Sequence, residues 1–155
     1  MKSFGKQEVT GIGILYPEHK ENVGTLWRSA MIFGVDFIFT IGRKYFKQTS
    51  DVFESYKSVP CFFYTDFEDF YAHLPYSCRL VGVEMHEKAQ PIEEFDHFAQ
   101  SVYLLGSEHS GISPKILERC HAIIQLPKGN YNVAMAGTIV LYDRYLKNQW
   151  KRTKV

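Results

Sequence analysis

Cysteine is scarce in this chain, and its spacing excludes the structures that cysteine usually builds. Cys61, Cys78 and Cys120 are odd in number and far apart, and none belongs to a Cys-x-x-Cys pair or stands near a histidine at zinc-finger spacing. The sequence therefore predicts neither a disulfide framework nor a structural zinc site. Unpaired thiols are typical of a reducing compartment, so we expect a cytoplasmic protein.

Long apolar runs are also missing. The N-terminal segment lacks the apolar core of a signal peptide, and no run approaches the roughly 20 apolar residues that a membrane span needs. We expect a soluble protein with no membrane partner. A chain of 155 residues is the size of one domain, so we predict a single domain over residues 1–155, with a basic and partly disordered tail at about 148–155.

The chain has almost no net charge. It contains 18 basic and 17 acidic residues, and its formal charge is +1 at pH 7. A charge this small supplies no long-range attraction to a polyanion, so a nucleic-acid partner would need basic groups concentrated in one place.

Familiar nucleotide and metal motifs are absent from the sequence. There is no Gly-x-x-x-x-Gly-Lys-Ser/Thr loop for ATP or GTP, and residues 11–16 hold only two of the three glycines of a dinucleotide-binding fingerprint. The six histidines show no clustered ligand spacing, so we predict no metal.

What the chain does contain is an alternation of two patterns. Short runs rich in β-branched and aromatic residues predict buried strands, and segments with helical periodicity lie between them. The predicted strands span residues 12–16, 36–42, 61–65, 79–85, 101–106 and 122–127. The predicted helices cover the stripe from Val23 to Phe33, residues 66–74, a segment opened by Ser113 and Pro114, and a largely buried final helix at about 132–147. This order predicts an α/β fold with a mainly parallel sheet flanked by helices, and residues 86–98 form a surface loop.

Three of the predicted strands lead into unusual polar loops, which is where open α/β sheets bind ligands. The loop at 104–113 (LLGSEHSGIS) has Gly106 and Gly111, which permit close backbone approach, and Glu108, which offers a carboxylate to a ligand. A flexible turn that only joins a strand to a helix would also explain the glycines and polar residues of this loop.

The other two loops contain asparagines and an arginine. In the first, Asn22 and Arg28 belong to the stretch that opens the first helix; in the third, Asn130 and Asn132 precede the last helix. Each has a structural explanation: the asparagines as helix N-caps, and Arg28 as an exposed residue whose stem packs on Trp27.

The order of the three loops favours a functional interpretation. The pattern Asn22, Arg28, Gly34, then LLGSEHSGIS, then IIQLPKGNYNVAMAGTIVLYDR at 123–144 resembles the three motifs of the SpoU or TrmH-like branch of SPOUT-class RNA methyltransferases. The resemblance covers residues 10 to 147.

The resemblance implies a fold and a cofactor. Proteins of this family have a deep C-terminal trefoil knot and bind S-adenosylmethionine in the knotted loops, releasing S-adenosylhomocysteine. By position, the cofactor-binding residues would be Val83, Gly106, Leu126, Asn130, Asn132 and Val133. Gly106 would leave room for the cofactor, and Asn130 stands where the family commonly has serine.

The resemblance also implies a reaction, the transfer of a methyl group to a ribose 2′-hydroxyl. Arg28 would act as the base or would position the hydroxyl and a neighbouring phosphate. A guanidinium pKa above 12 makes the base role awkward. Asn22, Glu108 and Asn132 would fix the geometry of the site. Such enzymes are generally homodimers, in which the Arg28 motif of one subunit meets the cofactor pocket of the other.

RNA is the implied partner, tRNA more than rRNA, because the chain shows no appended RNA-binding domain. Arg43, Lys44 and Lys47 lie among aromatic residues at 42–48 and could contact RNA, although a solvated loop explains them equally well. Two alternatives stay open: a non-catalytic RNA- or cofactor-binding relative with the same fold, and, less favoured because the glycine fingerprint is missing, a dinucleotide-dependent oxidoreductase.

Overall fold

A computed structural model describes residues 8–45 and 57–153 of the chain, with side chains as far as residue 150. This part of the chain contains seven strands, four α-helices and a short 3-10 helix. In chain order they are β1 (Val9–Leu15), α1 (Lys20–Ile32), β2 (Phe37–Ile41), β3 (Cys61–Tyr64), α2 (Phe67–Ala72), β4 (Arg79–Val83), β5 (Gln90–Pro91), the 3-10 helix (Ile92–Glu94), β6 (Gln100–Leu105), α3 (Pro114–Leu117), β7 (Ala122–Gln125) and α4 (Val133–Thr153).

The strands form one sheet in the order β3-β2-β1-β6-β4-β7-β5. Every pair of neighbouring strands is parallel, which confirms the predicted α/β class. Parallel strands place all their carboxyl ends at one edge of the sheet, so the loops after β1, β4, β6 and β7 open at that edge.

Each face of the sheet is covered by a separate hydrophobic cluster. Ile12 and Tyr103 face the cluster that includes Leu26 of α1 and Val140 of α4. On the opposite face, Leu104 packs in the cluster that includes Phe70 of α2. Burial on both faces explains why the central strands are continuous apolar runs without polar alternation.

Helices α1 and α4 pack side by side through small residues. A Cβ at Gly137 would lie 2.5 Å from Leu26 Cδ1 and 2.9 Å from Leu105 Cδ1, so only glycine lets α4 approach this closely. The hydroxyls of Ser29 and Thr138 lie 2.7 Å apart across the same contact. This packing brings the loop before α4 to the amino end of α1.

Several local predictions are corrected by the structure. The N-cap of α1 is His19, so Asn22 lies inside the helix and its side chain serves another purpose. Helix α4 continues to Thr153, so residues 148–153 of the predicted disordered tail are helical, because no glycine or proline interrupts them. The helix is not buried all round, since Met135 and Tyr142 are exposed. The loop at 86–98 includes β5 and the 3-10 helix.

No helix among the described residues is long and apolar enough to span a membrane.

All three cysteines are free thiols. Burial raises the pKa of Cys61 to about 12.

Candidate active site

A cavity of about 530 Å³ opens at the carboxyl ends of β4, β6 and β7. Its walls are the residues after β4, the turn at 106–111 and the loop at 126–132. Five of the six residues predicted to bind a cofactor line it: Val83, Gly106, Leu126, Asn130 and Val133. Pockets of about 300–1,000 Å³ with apolar walls and a few polar groups are typical sites for small molecules.

The turn at 106–111 is compact and held by its own backbone contacts. Gly111 has φ +61°, and its N–H donates to the Ser107 carbonyl at 3.0 Å. A Cβ at Gly106 would lie 2.5 Å from the carbonyl carbon of Gly111. The missing side chain of Gly106 therefore makes room for the returning backbone of its own turn, a structural reason for glycine that the sequence did not reveal. These contacts argue against the flexible-turn interpretation.

Glu84, the residue after β4, fixes this turn from the other side of the cavity. Its Oε2 accepts the Ile112 N–H at 2.9 Å, and its Oε1 accepts the Met85 N–H at 2.9 Å. Glu84 also lines the cavity. Sequence reasoning missed it, although a carboxylate directly after a buried strand was a usable signal.

The loop at 126–132, which forms the third wall of the cavity, is held in place by two of its own side chains. The Tyr131 hydroxyl donates to the Pro127 carbonyl at 2.6 Å. Asn132 caps α4, because its Oδ1 accepts the N–H groups of Ala134 and Met135 at 2.9 and 3.2 Å. The prediction that Asn132 is a helix N-cap is therefore confirmed. The cap uses only Oδ1, so Nδ2 can make another contact.

Three of the four predicted catalytic residues lie in one hydrogen-bonded network. Asn132 Nδ2 donates to Asn22 Oδ1 at 2.9 Å, and Asn22 Nδ2 donates to Glu108 Oε1 at 2.7 Å. The other oxygen of Glu108 accepts the Glu18 N–H at 3.0 Å. Asn22 is buried, and Glu108 lines the cavity. The network joins α1, the 106–111 turn and the start of α4 at the edge of the cavity.

The network also sets the ionisation of Glu108. Burial by itself would raise the pKa of this carboxyl, but hydrogen bonds from the Asn22 side chain and from the backbone N–H groups of residues 108, 18 and 19 lower the pKa below its ordinary value of 4.5. Glu108 is therefore an anion at neutral pH. It accepts hydrogen bonds and has no proton to donate.

Arg28 stands apart from this network. It is exposed on α1 and is not among the residues that line the cavity. Arg43 and Lys44, predicted to contact RNA, are exposed just after β2, whereas Lys47 lies outside the described residues. The described residues contain no group of three His, Cys, Asp or Glu side chains that could hold a metal ion.

Comparison with known proteins identifies the family. The model of the SpoU rRNA Methylase family matches residues 12–142. The chain belongs to this family. A curated relative, the 23S rRNA (guanosine-2′-O-)-methyltransferase RlmB from Acinetobacter baylyi, is 30% identical over 69 residues; the match covers 42% of this chain and 28% of that enzyme.

Solved structures of SpoU proteins share the fold. The TrmH/SpoU tRNA modifying enzyme of A. aeolicus superposes with a TM-score of 0.83 at 20% identity, over 94% of this chain and 78% of that one. The SpoU methyltransferase AviRb from Streptomyces viridochromogenes, in complex with the cofactor AdoMet, gives 0.82 at 20% identity, over 94% and 60% of the two chains. At this identity the likeness establishes the fold.

Proposed function

We propose that this protein is an S-adenosylmethionine-dependent enzyme that methylates ribose 2′-hydroxyls of RNA. The single observation that carries the proposal is the cavity at the carboxyl ends of β4, β6 and β7, with the Asn22–Glu108–Asn132 network at its edge. The cavity supports binding of a small cofactor, and the network places the buried Asn22, the half-buried Glu108 and the exposed Asn132 together at its edge, where a substrate could reach them.

The cavity suits S-adenosylmethionine in size and in chemistry. Val83, Leu126 and Val133 give it apolar walls, and the turns at 106–111 and 126–132 present backbone donors and acceptors. Adenine is recognised by this combination of a narrow apolar slot and backbone hydrogen bonds. AviRb, with a similar fold, was solved with AdoMet bound.

When bound, the cofactor would supply a methyl carbon activated by its sulfonium. The ribose 2′-oxygen would bond to that carbon as the carbon–sulfur bond breaks, S-adenosylhomocysteine would leave, and the hydroxyl proton would pass to solvent water. Asn22, Glu108 and Asn132 hold the two loops around this point in fixed positions. Arg28 binds the phosphate beside the target ribose and orients the hydroxyl, because a guanidinium forms two parallel bonds to phosphate but rarely accepts a proton.

Arg28 reaches a cavity in this proposal only if two copies of the chain associate. It is exposed on α1 and is not among the residues that line the cavity of its own chain. Helix α4, beside α1, exposes Met135, Tyr142 and Leu146 at helical spacing. We propose that this apolar stripe forms a homodimer interface that carries Arg28 to the partner's cavity.

We also propose the deep trefoil knot. The segment 126–132 leaves β7 on one side of β6 and passes along the cavity to α4, which packs on β1 and α1 at the other side. A C-terminal segment that passes between the turns after β4 and β6 would have this path. Free thiols support action in the cytoplasm, and relatives that act on rRNA and on tRNA leave both RNA classes as candidate substrates.

The test combines cofactor binding with methyl transfer. Calorimetry with S-adenosylhomocysteine should give a binding signal that Val83→Trp, which fills the cavity, abolishes. Labelled methyl groups should then pass to bulk tRNA or rRNA from cells that lack the protein, and should be found in alkali-resistant dinucleotides, which mark 2′-O-methylation. A folded protein that shows no binding at millimolar concentration would support the non-catalytic alternative instead.

A further inference from the structure

Tyr16, the residue after β1, has an unusual backbone conformation. Its φ is +48°, a region that bulky residues rarely enter, and it is the only residue other than glycine with positive φ in the described part of the chain. The position is fixed on both sides, since the Tyr16 N–H donates to the Ile41 carbonyl at 2.8 Å and the ring packs directly on Gly42. Gly42 has φ +83° and no side chain, and any Cβ there would overlap the ring.

This costly arrangement does not serve to bury the ring, because Tyr16 is 49% exposed. A strained residue that the surrounding structure holds in place is a reason to look for a function at that point. The conformation places a half-exposed aromatic ring against Gly42 at the carboxyl edge of the sheet.

The ring lines a groove of about 700 Å³ that we name the side groove, bounded by Tyr16, Arg43, Ser107, Ser110 and Ser113. Ser107 and Ser110 also line the cofactor cavity, so the two spaces lie on opposite sides of the 106–111 turn. That turn is tied to the start of α1 by a contact between the His109 and Glu18 side chains.

The side groove has the Arg43 guanidinium next to the aromatic ring and the Glu18 carboxylate, which contacts His109, in the same lining. The Arg43 guanidinium donates to the Glu18 carbonyl at 3.2 Å, which holds it at the groove. A smaller adjoining cavity shares Arg43 and Glu18 with the groove and adds Tyr45, two lysines and one more carboxylate, Lys20, Lys44 and Glu21, so that cations outnumber carboxylates across the two spaces. An aromatic ring beside basic groups is the combination that binds single-stranded RNA, with the ring stacked on a base and the cations near phosphates.

We propose that the side groove holds an unpaired nucleotide adjoining the methylated one, with its base stacked on Tyr16 and its phosphate near Arg43. This inference rests on the proposed function for the identity of the neighbouring nucleotide. It assigns Tyr16 as a residue that selects single-stranded over paired RNA, because a base inside a helix cannot present its face to the ring.

The probes are fluorescein-labelled oligouridylate of 12 residues and a blunt 12-base-pair RNA duplex, with affinities measured by anisotropy. Tyr16→Asn removes the ring and retains the backbone, since asparagine enters the left-handed region readily. We expect this variant to bind the single strand at least about fivefold more weakly, with duplex binding unchanged, and Tyr16→Phe to bind within about twofold of the unmodified protein. Arg43→Ala should reduce the salt dependence of binding by about one phosphate contact.

Two results would overturn the proposal: a folded Tyr16→Asn protein that binds oligouridylate as well as the unmodified protein, or a Tyr16→Phe protein that loses as much affinity as Tyr16→Asn. Methyl transfer and S-adenosylhomocysteine binding are measured on the same samples. If both occur normally while Tyr16→Asn has no effect on RNA, only the side-groove proposal fails. If neither methyl transfer nor S-adenosylhomocysteine binding occurs, although oligouridylate binds through Tyr16, the proposed enzyme function fails. The proposal that the side groove binds an unpaired nucleotide is then still supported.

Discussion

Arg28 is the residue for which a structural and a catalytic role lead to opposite expectations. An exposed arginine on a helix contributes little to stability, whereas a residue that orients a reacting hydroxyl contributes to rate. Glu108 differs from Arg28 in this respect. Its hydrogen bonds and its lowered pKa arise from contacts within a single chain.

Arg28→Ala should lower single-turnover methyl transfer at least about a hundredfold, with S-adenosylhomocysteine affinity within a few-fold and with less than about 1 kcal/mol lost in stability. Arg28→Lys should recover little, because an ammonium cannot form the planar two-pronged phosphate contact. Arg79→Ala, which removes another exposed arginine at the opposite edge of the sheet, is the matched control and should leave transfer unchanged. Near-normal transfer by a folded Arg28→Ala dimer would exclude Arg28 from the mechanism.

At the scale of elements, α4 is held by polar contacts at both ends of its apolar face. Asn132 anchors its start, and further along the helix Arg144 donates to the carbonyls of Phe98 and Ala99 at 2.7 and 3.0 Å. Between them His97, fully buried, contacts the Tyr103 hydroxyl at 2.6 Å and Asp143 at 2.7 Å. Helix α4, whose first turns line the cavity, is therefore tied to the segment before β6.

His97 makes this attachment sensitive to acid. Burial lowers its pKa from 6.5 to about 4; the bond to Asp143 opposes the shift, and the charges of Arg144 and Lys147 add to it. Between pH 6.5 and 4 the unfolded chain takes up a proton at this histidine and the folded protein does not, so stability falls as the pH falls, by up to about 3 kcal/mol. Urea unfolding at pH 7 and at pH 4.5 should show this loss.

Two variants separate His97 from other acid-sensitive groups. His97→Phe should be less stable at pH 7, because it removes the hydrogen bonds of His97 to Tyr103 and Asp143, but should lose less stability on acidification. His73→Phe, at an exposed histidine, should keep the slope of the unmodified protein. An unchanged slope in His97→Phe would show that His97 is not the responsible group.

For the whole molecule, the question is whether one chain can form a complete active site. The cavity and the Asn22–Glu108–Asn132 network lie within one chain, Arg28 is exposed and does not line the cavity, and α4 exposes an apolar stripe. The proposed homodimer would account for these features together.

Light scattering should give twice the 18.0 kDa mass of the chain. Tyr142→Glu, in the exposed stripe, should give a monomer that has lost methyl transfer, because the charge cannot be buried at low cost. Tyr76→Glu, at a fully exposed tyrosine elsewhere, should stay dimeric and active. A monomeric unmodified protein at micromolar concentration would contradict the interface.

Mixing two inactive variants tests the shared site directly. Arg28→Ala keeps an intact cavity, and Val83→Trp keeps an intact Arg28. A mixed dimer should regain one working site if Arg28 acts across the interface and none if it acts within its own subunit. Activity should therefore appear on mixing, up to about a quarter of the unmodified level for random pairing.

The sequence by itself determined six of the seven strands that the structure describes, their alternation with helices and the three polar loops, but not β5. These features are local: apolar periodicity and turn residues depend on backbone geometry over a few positions. The parallel sheet and the loops around the cavity were therefore predictable, and so, from the order of the motifs, was the family.

Only the tertiary structure decided which distant residues meet. Asn22 and Asn132, 110 residues apart in the chain, are hydrogen-bonded because α4 packs beside α1, and Glu84 reaches the 106–111 turn because β4 pairs with β6. His97 is buried within a segment predicted as a surface loop. Periodicity indicates which side of a helix or strand is apolar, but it does not indicate which other element packs against that side. Those contacts depend on the strand order and on how the helices pack. Both are fixed only when the whole core forms.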